Sequence, residues 1–243
     1  PIAVRSSSLL EDSHYQPFAG IYSTYMIPKL TCNIYLTIKQ LENAIKCVYA
    51  SVFFKASKAY MAATSNVIDE EKMGIILQEV CGNKYGDVFY PNFSGVARSI
   101  NFYPVEMEKP EDGIVNVALG LGKYIVEGEK PLRFSPRYPN KVLQLSSPEM
   151  ALKDTQKHFY GIDLGKNAFT PSVDDGVNLK RMRIKEAEKS NAIKHIASTF
   201  DLNNHIIRDG VNHDGKKIIT FANILKYKTF PLSDILNDLL EVG

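Results

Sequence analysis

The chain has 243 residues, which is enough to bury a substantial core in one or two domains. Its hydrophobic content of 44% and its charged content of 23% are ordinary for a folded globular protein. A formal net charge of +2 gives no strong electrostatic field, so the composition favours neither nucleic acid nor a membrane surface as a partner.

The cysteines and the apolar segments indicate the compartment. Cys32, Cys47 and Cys81 lack the close spacing of a zinc site, and we expect them to be small buried residues. No stretch is apolar enough to span a bilayer and no signal peptide is recognisable, so we expect a cytoplasmic protein. Residues 1–4 enter a predicted strand at once, and we therefore expect the sequence to be part of a longer protein.

The first predicted element is a short strand that leads into Arg5, followed by a glycine-centred segment at residues 18–24. A guanidinium is a rigid fork of donors that suits phosphate oxygens. A loop with Gly20 and the hydroxyls of Ser23 and Thr24 can bring backbone N–H groups close to the same anion. The residues alone leave two interpretations open, a phosphate site or a strand followed by an ordinary surface turn.

The pattern after residue 36 predicts one long helix from Thr37 to about Ala63. Thr37 and Gln40 have the spacing of a capping box. Apolar residues then recur every three or four positions and predict a face that packs on the core. The members of this face are Leu41, Ile45, Val48, Val52, Ala56, Ala59 and Ala63.

Residues 72–81 predict a buried strand, because an apolar run continues with few breakers. Gln78 and Glu79 interrupt the run, and a buried polar side chain needs a hydrogen-bond partner. Gln78 is therefore interpreted either as a residue beside an adenine edge or as a residue on a hydrated face of the sheet.

Two short strands are predicted within residues 87–102, and a segment with three glycines follows at 115–128. Gly120 and Gly122 would allow a tight turn or the close approach of a ligand. The spacing of these glycines is not that of a dinucleotide-binding fingerprint.

The last third predicts strands at 158–163 and 178–184, a helix at 186–198, and a terminal helix capped by Ser233. The dipeptides Asp-Gly at 209–210 and 214–215 predict turns between strands. Nearby histidines are interpreted as part of these loops, not as metal ligands, because no rigid spacing relates them.

The string Ala-Val-Arg-Ser-Ser-Ser-x-x-Glu-Asp at residues 3–12, followed by Phe-Ala-Gly-x-x-x-Thr-Tyr at 18–25, closely resembles a known domain. It is the nucleotide-binding domain of the phosphoenolpyruvate synthase and pyruvate phosphate dikinase family, and the resemblance covers about residues 2–142. The resemblance implies an α/β (α+β) fold of the ATP-grasp type, a mixed sheet with flanking helices, truncated at both ends. We expect residues 1–150 to form the nucleotide-binding core and 151–243 to complete the same domain.

The resemblance also implies a set of ligand-binding residues. Arg5 would act in catalysis and hold the ATP phosphates together with Gly20 and Thr24. Gln78 matches a glutamine of a Val-Gln-x-Met-Val-like strand that contacts the nucleotide, and Ser23 would add a hydroxyl contact. The cofactors implied are ATP and Mg²⁺, with the metal ligands expected outside this sequence and no metal ligand assigned within it.

The sequence departs from the family pattern at two places. Lys123 stands where the family tends to have an acid, so no metal or base role is carried to this position. Arg98 replaces part of the family pattern after Ser94-Gly95-Val96 and is interpreted as a surface residue or an added phosphate contact. Glu11 and Asp12 are interpreted as structural residues.

The function implied is that of an ATP-binding segment of a phosphotransferase similar to phosphoenolpyruvate synthase. In the family, ATP phosphorylates a histidine, AMP and phosphate are released, and the phosphoryl group passes to pyruvate. The implied partners are ATP and the phosphohistidine and pyruvate-binding domains of the parent chain, and we expect the segment alone to be inactive. The alternatives are a non-catalytic ATP-sensing module and a protein-interaction module in which Arg5 only makes an internal salt bridge.

Overall fold

The computed structural model describes residues 1–8, 11, 20–29, 33–63, 71–166 and 168–242. The fold is mixed α/β, with antiparallel sheets and helices, as the sequence predicts. The chain forms two compact units, residues 1–90 with 161–180 (unit 1) and residues 91–160 with 181–243 (unit 2). The assignment of residues 1–150 as a nucleotide-binding core stays a prediction.

Unit 1 is built on a three-stranded antiparallel sheet. Its strands are β1 (Ile2–Ser8), β2 (Tyr25–Ile27) and β3 (Met73–Glu79), in the order β2-β1-β3. Val4 at the centre of β1 pairs with Tyr25 of β2 and with Leu77 of β3. The register therefore fixes which side chains of the three strands share a face, because paired residues in a ladder point to the same side.

Two helices follow β2 in unit 1, α1 (Ile34–Ser51) and α2 (Lys55–Ala63). The Asn33 side chain caps α1 by accepting from backbone N–H groups of the first turn, so the predicted start at Thr37 is three residues late. The prediction of one continuous helix is wrong. At the break, the Ser51 hydroxyl donates to the Val48 carbonyl and the Ser57 hydroxyl to the Ser51 carbonyl, so side chains satisfy the freed backbone groups.

Helix α1 covers one face of the sheet and forms the core of unit 1 there. The buried members of this core are Val4, Tyr25, Ile27, Ala44, Val48 and Phe169. The prediction of a buried β3 is wrong, because this edge strand is largely exposed and Leu77 retains 51% of its accessible surface. The apolar run predicted burial on both faces. Ile76, on the face opposite to α1, retains 42% of its accessible surface, and Leu77, which pairs with Val4 on the α1 side, is exposed because β3 is the edge strand and α1 packs mainly on β1 and β2.

A smaller antiparallel ladder completes unit 1. Strand β4 (Asn83–Tyr85) pairs with β5 (Val88–Tyr90), and β5 pairs with the last residues of β9 (His158–Asp163). The rings of Tyr85 and Tyr90 stack 4.4 Å apart across the β4–β5 hairpin. Cys81 precedes this hairpin and is exposed, so its predicted burial is wrong.

Unit 2 contains two further three-stranded antiparallel sheets. The first has the order β6-β7-β8, with β6 (Ser94–Arg98), β7 (Ile114–Ala118) and β8 (Leu132–Phe134). The second has the order β12-β11-β13, with strands β11 (Ala197–Asp201), β12 (Ile206–Asp209) and β13 (Lys216–Ile219). Strand β10 (Leu179–Arg183) contains the third point at which the chain passes from one unit to the other, after residue 180.

The helices of unit 2 are short except for the last. They are α3 (Lys123–Val126), α4 (Pro148–Asp154), α5 (Ile184–Lys189), α6 (Ala222–Leu225) and α7 (Leu232–Val242). The helix predicted at 186–198 is wrong beyond Lys189, because Asn191 adopts a left-handed conformation and β11 begins at residue 197. Ser233 lies inside α7 and is not its cap.

Asp201 ends β11 and accepts several hydrogen bonds in the turn to β12. The Asn204 side-chain amide donates at 2.8 Å, and backbone N–H groups of Asn204 and Asn203 donate at 3.1 and 3.0 Å. These bonds stabilise the carboxylate and lower the pKa of Asp201 to about 2, with a further contribution from Arg208.

The depressed pKa of Asp201 predicts an acid-sensitive contribution to stability. The contribution is fully present above the ordinary aspartate pKa of about 3.9 and is lost as the pH falls towards 2. In Asp201→Asn, the urea midpoint should fall less between pH 5 and pH 3 than in the wild type. Parallel pH profiles for the two proteins would contradict the assignment.

Candidate functional site

Arg5 lies on the face of the unit 1 sheet opposite to α1. Along β1, Val4 and Ser6 are buried while Arg5 between them is exposed, since neighbouring side chains point to opposite faces. Among the described residues, no carboxylate oxygen lies within 4.0 Å of the Arg5 guanidinium. The internal salt bridge that the interaction-module alternative requires is therefore absent from the described part of the chain.

Gln78 shares this face with Arg5. Gln78 of β3 pairs with Ala3, and Ile76 pairs with Arg5, so Gln78 is the diagonal neighbour of Arg5 across the ladder. Such neighbours have Cα atoms about 7–8 Å apart, within the span of one small ligand. Ile76 is also exposed and offers an apolar surface between the two polar side chains, a contribution that the sequence analysis missed. The pairing register would have revealed it.

Thr24 directly precedes the first residue of β2, on the side of β1 opposite to β3. It directly precedes the Tyr25–Val4 pair, so it lies at the level of Arg5 on the β2 side of β1. Its backbone N–H donates to Asp175 Oδ2 at 3.4 Å. The sheet thus places Ile76 and Gln78 beside Arg5, and the contact of Thr24 with the same ligand stays a prediction.

The other two predicted phosphate-loop residues, Ser23 and Gly20, do not belong to the strand ladder around Arg5. The Ser23 backbone N–H donates to the Ser51 hydroxyl at 3.2 Å, at the last residue of α1, and the role of the Ser23 hydroxyl beside Arg5 stays a prediction. Gly20 is exposed and has φ of 82°, a conformation that favours glycine. Phe18 and Ala19, which precede it in the predicted loop, lie outside the described residues.

Glu11 fixes the end of β1 beyond Arg5. The Ser6 hydroxyl donates to Glu11 Oε1 at 2.8 Å, and the Ser8 backbone N–H donates to Glu11 Oε2 at 3.0 Å. The Glu11 backbone N–H in turn donates to the Ser8 hydroxyl at 3.1 Å. Because Ser6 and Ser8 are both buried, this carboxylate satisfies polar groups that water does not reach.

Replacing Glu11 with alanine is expected to destabilise the fold by about 1–3 kcal/mol, since buried donors lose their acceptor. Urea unfolding measures the effect. Glu42→Ala is the matched control, because Glu42 is an exposed acid on α1 paired only with Lys46, and it should leave the free energy of unfolding almost unchanged. Equal effects of the two substitutions would contradict the role given to Glu11.

The glycines of the Gly-Leu-Gly segment in unit 2 have different roles. Gly120 has φ of 83°, and a Cβ at this position would lie 2.7 Å from the Tyr160 carbonyl oxygen. Gly122 has φ of −59°, and the nearest atom to a Cβ there would be Ser94 Oγ at 4.0 Å. The backbone therefore requires glycine at 120, whereas nothing in the described chain requires it at 122.

Lys123, which follows this segment, begins α3. Its Nζ lies 3.1 Å from Glu127 Oε1, one helical turn further along. At the position where the family tends to have an acid, this chain thus has a lysine whose ammonium pairs with Glu127. Within the described ranges, no group of three or more histidines, cysteines or acids is placed to hold a metal ion. In the same ranges, no helix is long and apolar enough to cross a bilayer.

The first 159 residues of the chain are similar to a known protein family. Residues 1–159 match the family model described as pyruvate phosphate dikinase, AMP/ATP-binding domain. The chain belongs to this family. The match includes Arg5, Thr24, Gln78 and the Gly-Leu-Gly segment, so the predicted family is confirmed.

Two curated proteins are similar to the chain. An uncharacterised phosphotransferase of Bacillus subtilis, YvkC, is 32% identical over 127 residues, which are 52% of this chain and 13% of that protein. The phosphoenolpyruvate synthase of Aeropyrum pernix is 26% identical over 186 residues, which are 76% of this chain and 20% of that protein. The matched region thus spans at most a fifth of these relatives, and they support membership of a phosphotransferase family that binds ATP.

Proposed function

We propose that this chain is the ATP-binding segment of a cytoplasmic phosphotransferase similar to phosphoenolpyruvate synthase, with an ATP-grasp-like architecture. The observation that carries the proposal is the shared face of the unit 1 sheet. On this face the Arg5 guanidinium of β1 lies beside an exposed aliphatic side chain and a carboxamide of β3, Ile76 and Gln78, and the hydroxyl-bearing Thr24 directly precedes β2 on the other side of β1. This order of chemistry suits a nucleotide, which has a polyanionic end and a planar base with a polar edge.

Each residue has a defined part in this proposal. Arg5 binds phosphate oxygens and neutralises charge during phosphoryl transfer, in which positioning and electrostatics dominate. Gly20 and Thr24 supply backbone and hydroxyl donors to the same phosphates. Gln78 contacts the base or ribose, and Ile76 packs on it. Ser23 adds a hydroxyl contact to the same phosphates.

Mg²⁺ is implied by the family, and the described residues do not fit it. Glu11 is the nearest acid in sequence to Arg5, and its carboxylate is occupied by Ser6 and Ser8. No other described acids form a suitable group. We therefore assign no metal ligand and draw no catalytic step through the metal.

In the parent protein, ATP would phosphorylate a histidine, with release of AMP and phosphate, and the phosphoryl group would pass to pyruvate. The phosphohistidine and pyruvate-binding domains would be supplied by other parts of that protein. The 243-residue chain alone should therefore bind ATP without converting it.

A second candidate is an ATP-sensing module on the same fold. The ion pair of Lys123 with Glu127, at a position where the family tends to have an acid, favours this candidate. The ATP-sensing candidate, like the phosphotransferase proposal, predicts that the chain binds nucleotide. The two differ because a sensor would show no ATP turnover in the parent protein.

Isothermal titration of the 243-residue chain with ATP and with GTP tests the proposal. We expect saturable binding of ATP and weaker binding of GTP, because Gln78 lies where it can contact the base edge. A parallel assay for AMP should detect no product from the chain and should detect product from the parent protein. Absence of nucleotide binding would refute the proposal, and a parent protein that binds ATP without forming AMP would favour the sensor.

A further inference from the structure

Unit 2 contains a cleft of about 600 Å³ with strongly cationic walls. The walls come from residues 155–157, from residues 183–185 with Glu188, and from residues 215–217. We call this surface the basic cleft. Its charged side chains are Lys157, Arg183, Lys185, Lys216, Lys217 and Glu188.

The fold brings the three segments of the basic cleft together from distant parts of the sequence. The Ile184 backbone N–H donates to the Lys157 carbonyl at 3.4 Å, which joins the start of α5 to the residue before β9. Helix α5 also packs against β13, which starts at Lys216. Lys216 and Lys217 pair with Phe200 and Thr199 on the central strand β11, so sheet register sets these two positions, whereas Lys157 lies in the connection between α4 and β9.

In the described part of the chain, the cations of the basic cleft form no ion pairs, and Asp154 acts on Lys157 only from beyond ion-pair distance. Five positive groups and one carboxylate leave a formal charge of +4 in a chain whose total is +2. Within the described part of the chain, none of the five has a carboxylate oxygen within 4.0 Å. Lys157 donates to the Leu152 carbonyl, and Lys217 donates to the Thr199 hydroxyl at 3.2 Å and the His213 carbonyl, which are neutral acceptors.

The electrostatics of the basic cleft also favour the binding of an anion. Partial desolvation of the Lys157 ammonium and the like charge of Lys216 lower the pKa of Lys157. The side chains of Lys157, Arg183, Lys185 and Lys216 nevertheless remain accessible to solvent. An anion in the cleft would relieve the repulsion among these groups and could reach several of them at once.

We propose that the basic cleft binds a small multivalent phosphate anion, a compound with two or more phosphate groups. Lysine and arginine donors match phosphate oxygens, and the cleft has the volume of a small-ligand site. A single compact cluster suits such a compound better than an extended polynucleotide, which needs a continuous basic track. This site is additional to the nucleotide face of unit 1.

The test uses tripolyphosphate as the probe and the full chain with Arg5→Met, which removes the proposed phosphate contact in unit 1. In this background, isothermal titration should show one saturable site that weakens with added salt. Adding Lys185→Gln and Lys216→Gln should lower its affinity at least about tenfold, the size expected for lost charged hydrogen bonds. The control pair, Lys153→Gln with Lys194→Gln, removes two exposed lysines of unit 2 outside the cleft and should retain binding.

Circular dichroism and thermal melts of each variant establish that the fold is kept. Equal affinity of the two double variants, or no binding of tripolyphosphate in the Arg5→Met background, would overturn the proposal. Tighter binding of a single-stranded oligonucleotide than of tripolyphosphate would also overturn it, in favour of a nucleic-acid surface. None of these results depends on ATP binding at the unit 1 face, so the two proposals fail separately.

Discussion

Replacing Arg5 with methionine is expected to weaken ATP binding by about a hundredfold. Two charged hydrogen bonds from one guanidinium to phosphate oxygens are worth about 3 kcal/mol together, which corresponds to that change in affinity. Methionine keeps a long unbranched side chain on the exposed face of β1, so the strand and its pairs should be retained. Isothermal titration with ATP measures the loss, and urea unfolding verifies that stability is unchanged.

Two further variants give this experiment its specificity. Arg5→Lys keeps the charge but loses the planar fork, and we expect an intermediate affinity. Lys84→Met removes an exposed cation from β4 in the same unit and should leave the affinity for ATP within about twofold of the wild type, because a distant exposed charge is screened by salt. Wild-type affinity in Arg5→Met would remove Arg5 from the nucleotide site.

The second large effect is expected at Gly120. Alanine at this position must adopt φ of 83° and places its Cβ 2.7 Å from the Tyr160 carbonyl oxygen. The left-handed conformation and the forced shift of the backbone should together destabilise the protein by about 2–4 kcal/mol. Urea unfolding of Gly120→Ala measures this change.

Gly122→Ala is the matched control within the same segment. Its backbone is right-handed and the new Cβ meets no atom closer than 4.0 Å, so stability should change by no more than about 0.5 kcal/mol. ATP titration of this variant has a separate use. A loss of affinity with unchanged stability would show that a ligand approaches Gly122, whereas a loss of stability equal to that of Gly120→Ala would contradict the distinction between the two glycines.

The local elements of unit 1 follow from short-range patterns. The β1 strand and a strand at β3 were predictable, and four members of the predicted helical face hold, because side-chain periodicity reflects which face of an element is buried. Val48 and Val52 are buried, and Leu41 and Ile45 pack on the core. The other three members, Ala56, Ala59 and Ala63, are exposed, and α2 buries Ser57 and Met61 instead. The same patterns failed where a side chain replaced a backbone hydrogen bond. Ser51 and Ser57 separate α1 from α2 in this way, and no periodicity signals it.

The family was also readable from local sequence. The string around Arg5 and Gly20 was enough to identify it, because phosphate binding needs a fixed donor fork and a turn with little steric bulk at short separation. Local sequence also singled out Gln78, but without stating which face of the sheet it occupies.

Only the tertiary structure decided which of these residues meet. Sheet register, a contact between segments about seventy residues apart, places Arg5 beside Ile76 and Gln78 and leaves β3 open where the apolar run predicted burial. The basic cleft arises in the same way from three segments that are far apart in the sequence, at residues 155–157, 183–188 and 215–217. The physical reason is that hydrophobic periodicity specifies a buried face locally, whereas pairing between distant strands specifies its neighbours.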